Sequence, residues 1–152
     1  MRLSEALIIR ADLQRRFAQV GRRLGQNARI QEGDRVAEDP KMLLEEMERI
    51  AAQLGGFIRR INRTNAETRF EDGMTISDAL AERDVLKMRQ SAYRDLAQAA
   101  SINLTRFSRS EVRYISTVDV AEIQGRADEL AKQIRELDTK IQEKNWSIDL
   151  LD

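Results

Sequence analysis

Near the end of the chain, Val120, Ile123, Ala127, Leu130, Ile134, Leu137 and Ile141 recur in alternating steps of three and four residues. No polar residue interrupts this heptad seam. A strand could not keep it on one face, because strand side chains change sides at every residue, so the spacing dictates a helix. Thr117 is placed to cap it, and Lys144 breaks the seam. A helix with such a stripe must bury it against another element. The composition agrees: of 152 residues 34% are charged and 41% apolar, with one proline and seven glycines, which suits long helices and opposes a sandwich or barrel.

Three further helices read from the same periodicity. Ser4 can cap the first, along which Leu3, Ala6, Leu13, Phe17, Val20 and Leu24 form a seam interrupted only by Arg10. Residues 26–38 lose the period and read as a loop, with Ala28 to Gln31 extended. Asp39 followed by Pro40 starts the second helix, since the carboxylate can accept an orphan amide proton where proline needs none. Its seam, Leu43, Met47, Ile50, Leu54, Phe57 and Ile61, carries it to at least Asn65, and Gly55 with Gly56 predicts a kink or a close helix approach. From Phe70 to Met74, Asp72 and Gly73 supply the two positive backbone angles of a tight hairpin reversal. Ser77 can cap the third helix, which has two apolar faces: Ala81, Val85, Met88, Ala92, Leu96 and Ala99 on one, Leu86, Tyr93 and Ala100 on a neighbouring one. Two faces imply more than one packing partner.

From Ser101 to Ser116 the helical period fails, and Glu111 to Ser116 alternates as an extended segment. The closing Ile148, Leu150 and Leu151 are apolar enough to dock. The fold expected is mainly α: an antiparallel four-helix bundle of long helices, with short β-hairpin or extended elements at the junctions, in one domain over 1–152. Leu54, Ile61, Leu86, Leu130, Ile134 and Leu137 are expected in its core. The seams hold more apolar area than one short bundle can enclose, which predicts a homo-oligomer, a dimer or a larger ring such as a hexamer.

Cysteine and histidine are both absent. That removes disulfides, thiol nucleophiles, zinc sites and every Ser-His or Cys-His arrangement. No phosphate-binding glycine loop occurs either, and no cofactor or metal is expected. Lysine plus arginine equals aspartate plus glutamate at 26 each, so net charge favours neither nucleic acid nor acidic lipid. Residues 2–29 nevertheless carry seven cations, among them Arg15, Arg16, Arg22 and Arg23, against two acids, while residues 30–48 carry two cations against seven acids. Consecutive stretches of opposite charge predict pairing with each other, and the scarcity of aromatic residues for base stacking disfavours nucleic acid. Arg2, Glu5, Arg10 and Asp12 break up the apolar stretch a signal peptide would need, and no run reaches a membrane span, so the expected location is the cytoplasm.

Hydrogen-bonding groups concentrate at three places. Arg59, Arg60, Arg63 and Asn65 lie near the end of the second helix, Glu82, Arg83 and Asp84 at the start of the third, and Arg106, Arg109, Glu111 and Arg113 in the extended segment. Near a seam such groups form either a satisfied ionic network or a ligand site. A network would use Glu82, Asp84 and Glu111. A site would use Arg63, Arg83 and Arg109 to hold a small anionic ligand, phosphate or carboxylate, with Asn65 orienting it. The acids Glu67, Glu71, Asp72 and Glu82 could hold a hard cation, but their spacing matches no calcium loop.

LSEALIIRADLQRR (3–16), INRTNAET (61–68), DALAERDVLK (78–87), RFSRSEVRYISTVDV (106–120) and IQEKNWSIDLL (141–151) together resemble a small family of bacterial proteins of unknown function, often labelled septicolysin. The resemblance runs nearly end to end. It implies a helical, cytoplasmic homo-oligomer and brings no catalytic residues. A thiol-activated pore former would need a cysteine and membrane-inserting apolar segments, which the sequence lacks. The residues favour a non-enzymatic, self-associating helical protein; the alternative is a small-ligand or anion-binding protein, extending to an unrecognised enzyme.

Overall fold

The structure is a computed structural model that describes residues 1–101 and 113–152. It is all-α. Four helices, α1 (Leu3–Gln26), α2 (Pro40–Glu67), α3 (Ile76–Ala100) and α4 (Val120–Ser147), account for its regular structure. Among the described residues β structure is confined to isolated bridge residues: Arg2 and Asp149, which pair antiparallel, and Arg69 and Thr75, which bracket the reversal before α3. Arg113 to Ser116 form no strand, and Ala28 to Gln31 are not extended into one. The described residues fall into two compact units, Met1–Arg69 with Glu143–Asp152, and Phe70–Gln142.

In the first unit α1 and α2 run antiparallel. Leu13, Val20, Leu43 and Ile50 form its buried cluster, with Ile9, Leu24, Met47, Leu54 and Phe57 packed around them. Asp39 starts α2 as its sequence predicts, accepting from the Lys41 amide at 3.0 Å with Pro40 in the first turn. The cap of α1 differs from expectation. Arg2 precedes the helix, its amide donating to Glu5 Oε2 at 2.7 Å, while Ser4 lies inside with a buried hydroxyl that has no partner. The tail docks here through three backbone amides: Leu3 donates to the Ile148 carbonyl at 3.0 Å, Leu150 to that of Met1 at 2.9 Å, and Leu151 to the Thr64 hydroxyl at 3.0 Å. Gly55 and Gly56 do not mark a close helix approach. A methyl group at Gly56 would meet nothing within 4 Å, and one at Gly55 only the Arg59 side chain of the same helix.

In the second unit the reversal before α3 has the expected geometry, with φ of 47° at Asp72 and 82° at Gly73, closed by a 2.7 Å bond from the Met74 amide to the Glu71 carbonyl. Thr75, not Ser77, caps α3. Its hydroxyl accepts from the Asp78 amide at 3.2 Å, and the Asp78 carboxylate accepts from the Thr75 amide at 2.8 Å. Ser77 has no acid three residues on to complete that reciprocal pair, and Thr75 has. The helices α3 and α4 are antiparallel, since Arg83 meets Asp138 and Tyr93 meets Arg126. Ala127, Leu130 and Ile141 of the heptad seam are buried, whereas Ile134 and Leu137, like Leu54 in the first unit, are half-buried.

Of the two apolar faces of α3, the one carrying Ile76, Ala79, Leu86 and Ala97 is buried. The other points to solvent. Val85 is 54% exposed, Met88 72% and Leu96 41%, and Ala81, Ala92 and Ala99 are exposed with them.

Candidate functional site

In the first unit the opposed charges of the α1 and α2 stretches do meet. Arg23 donates from Nε to both Glu38 oxygens at 3.2 and 3.0 Å, a second nitrogen also engages Glu38, and Glu46 lies 3.7 Å away. These bonds hold the Glu38 carboxyl below its ordinary range and raise the Arg23 guanidinium. Asn27, buried at the end of α1, aims Glu38 at its partner. Its amide nitrogen donates to the Arg23 carbonyl at 2.9 Å, and its side-chain oxygen accepts from the Glu38 amide at 3.0 Å. Nothing in the local sequence singles out Asn27, because its partner lies across a loop.

Arg63 and Asn65 belong to this unit too. Arg63 donates to the Asp152 carbonyl, and Arg60 donates to the Leu151 carbonyl at 3.1 Å and to Asp152 Oδ1 at 2.8 Å. Of the cations expected to receive an anion, Arg63 thus holds an oxygen of the chain's own tail. Asn65 is half-buried in the last turn of α2.

Arg83 lies in the second unit, where Nη1 donates to Asp138 Oδ1 at 2.8 Å and Asp84 stands 3.9 Å from Nε. Glu82 is exposed on α3. Arg109 and Glu111 lie outside the described residues, so the part of the site and of the network assigned to them has no structural counterpart here. Glu71 accepts from Lys140 Nζ at 2.9 Å, which raises the lysine. Among the described residues no group of three or more acids, Glu67, Glu71, Asp72 and Glu82 included, is placed to hold a metal ion. On α4, Arg126 reaches the Tyr93 hydroxyl at 3.5 Å and stacks 5.9 Å from its ring centroid.

Between α3 and α4 of this unit lies an open groove of about 420 Å³, lined by Lys87, Gln90, Ser91, Ala131, Ile134 and Arg135. Two cations flank an aliphatic floor. Chemically this suits binding of an anionic group and offers no nucleophile paired with a base. Among the described residues no helix is long and apolar enough to cross a membrane.

Known proteins place the chain among relatives of equally open function. A solved structure of a functionally unknown conserved protein from Corynebacterium diphtheriae is similar over 99% of both chains, with a TM-score of 0.94 and 43% identity. No curated protein matches. The septicolysin label finds no support in either the family or the solved structure. Residues 10–150 match DUF6847, a family of unknown function, and the chain belongs to that family.

Proposed function

We propose that this protein is a non-enzymatic, cytoplasmic helical protein whose work depends on association with copies of itself. The observation that carries the reading is the outward face of α3, where Val85, Met88 and Leu96 stand in solvent beside three alanines. Isolated apolar residues are ordinary on a surface, but a continuous ridge along a helix marks an interaction face. The ionic groups support the same view, since Arg23, Arg60, Arg63 and Arg83 all engage oxygens of their own chain. Light scattering at micromolar concentration tests the proposal. An integer multiple of 17.5 kDa that survives added salt is expected, and a mass that stays at 17.5 kDa on concentration refutes it.

A second reading, binding of a small anion, draws on the groove between Lys87 and Arg135. Phosphate should then raise the melting temperature, and the rise should vanish in Arg135→Ala. Loss of the rise in Arg63→Ala instead would move the site to α2.

A further inference from the structure

We infer that the groove between α3 and α4 takes a small organic carboxylate with a compact apolar body, its carboxylate between Lys87 and Arg135 and its body over Ala131 beside Ser91. This rests on the anion-binding reading and adds to it the class of ligand and the way it lies.

The groove exists because its walls are small. On α3 the buried residues are interrupted between Leu86 and Ala97. Gln90 and Ser91 stand in that interval, and Ala131 faces them from α4 between buried Leu130 and half-buried Ile134. Serine and alanine are too short to meet across the gap. The helices that touch through Arg83 and Asp138 therefore leave open space about one turn further along α3.

The groove has two unlike ends. Arg83 meets Asp138 on one side of it and Tyr93 meets Arg126 on the other, and these contacts set the register of the antiparallel pair. Counting inwards from them puts Lys87 near the level of Ile134 and Arg135, and Gln90 and Ser91 near that of Ala131. One end is cationic and the other neutral. From Lys87 to Ser91 is four residues, about 6 Å along the helix. A helix or strand of another protein needs several turns of groove, whereas one turn and about 420 Å³ suit a single small molecule.

The cations there are uncompensated. Arg83 holds Asp138 at 2.8 Å and lies 3.9 Å from Asp84, and Asp128, beyond the neutral end, accepts from Gln124 at 3.0 Å. Among the described residues no acid comes within ion-pair distance of Lys87 or Arg135. Both helices are in mid-span at this level, so their backbone amides are bonded within the helix and the site lacks the donors that a phosphate draws on at a helix N-terminus. Two side-chain cations, one of them a planar fork, match a single carboxylate. A bare anion would leave Ala131 and Ile134 in water. An apolar body attached to it covers them and adds the burial that the bare anion forgoes.

NMR titrations that follow the Ser91 and Ala131 amide signals test this with three probes: benzoate, acetate as the head without the body, and benzylamine as the body with the opposite charge. Benzoate should bind about tenfold or more tightly than acetate, and benzylamine should not bind. Lys87→Ala and Arg135→Ala, both at exposed positions, should weaken both carboxylates. A131L, which fills the neutral end, should bring benzoate down to the affinity of acetate and leave acetate unchanged, and S91L should do the same from the opposite wall. Equal binding of the two carboxylates, lost in Arg135→Ala, would overturn the apolar body and leave the anion-binding reading intact. Tighter benzoate binding that neither A131L nor S91L alters would overturn the placement in this groove. Benzylamine binding as tightly as benzoate would overturn the role of the two cations. No response to acetate, benzoate or inorganic phosphate would remove both this proposal and the reading beneath it.

Discussion

Arg83 on α3 and Asp138 on α4 meet at 2.8 Å, and the arginine side chain retains only 22% of its exposure. The pair ties the two helices of the second unit at one level. Removing the cation leaves a half-covered carboxylate with no partner, and such loss costs more than the pair itself contributes. Arg83→Ala should therefore destabilise by about 1–3 kcal/mol in urea melts. Arg15, 70% exposed and paired with Asp12 within one helix, provides the contrast. Its removal should cost less than about 0.5 kcal/mol. Equal effects would show that Arg83 is an ordinary surface charge.

Leu130 and Met88 separate folding from association. Leu130 is 4% exposed on α4, so Leu130→Ala should cost about 2–5 kcal/mol, the sum of lost transfer energy and the cavity left behind. Met88→Glu, at an exposed position, should leave the urea midpoint of the isolated chain within about 0.5 kcal/mol of wild type while reducing association. If Met88→Glu unfolds the chain, that face is a core face and the ridge is misassigned.

Much of this architecture is legible because its signals are local. Asp39 with Pro40, and Asp72 with Gly73, each fix a backbone geometry within two residues, and both are where the sequence puts them. The caps differ from the expected ones for a reason of the same scale: Ser4, Ser77 and Thr117 are good capping residues, yet the acids Glu5 and Asp78 sit three residues after Arg2 and Thr75, and Asp119, directly before α4, accepts from the Glu122 amide at 3.1 Å. Which face of α3 is buried is not a local matter. Both repeat at the helical period, and only the position of α4 decides between them. That the tail docks is legible in its apolar residues, but the partners of Asn27 and of the tail, Glu38 and Thr64, are not, since each bond joins distant parts of the chain.

The Arg23 and Glu38 pair gives stability a pH dependence. Hydrogen bonds from Arg23 depress the folded-state Glu38 carboxyl below its ordinary value of 4.5. A depressed carboxyl contributes stability that is full above the unfolded value and lost as pH falls through the folded one. Glu38→Gln should therefore be less stable than wild type at pH 7, and the gap should narrow progressively below about pH 4.5 in urea titrations. Lys140 behaves in the opposite sense. Glu71 raises it above 10.5, so its contribution is full below that value and fades only as pH rises through the higher folded one. A gap for Glu38→Gln that is constant from pH 7 to pH 3 would mean the pair adds nothing to the folded state.

Gly56 offers a prediction of opposite sign. It sits inside α2 with an ordinary helical backbone, its φ not among the positive ones, and a methyl group there would touch nothing within 4 Å. Glycine in a helix interior loses more backbone freedom on folding than alanine does, at a cost near 1 kcal/mol. Gly56→Ala should therefore stabilise the chain by about 0.5–1 kcal/mol, visible as a higher urea midpoint with an unchanged slope. Gly55→Ala should gain less, because its new methyl group would lie 3.5 Å from the Arg59 guanidinium and restrict that side chain. Destabilisation by Gly56→Ala would mean that in solution another surface packs against this helix closely enough to need the missing methyl group. Repeating the melt at tenfold lower protein concentration identifies that surface: a loss that disappears on dilution assigns it to a second copy.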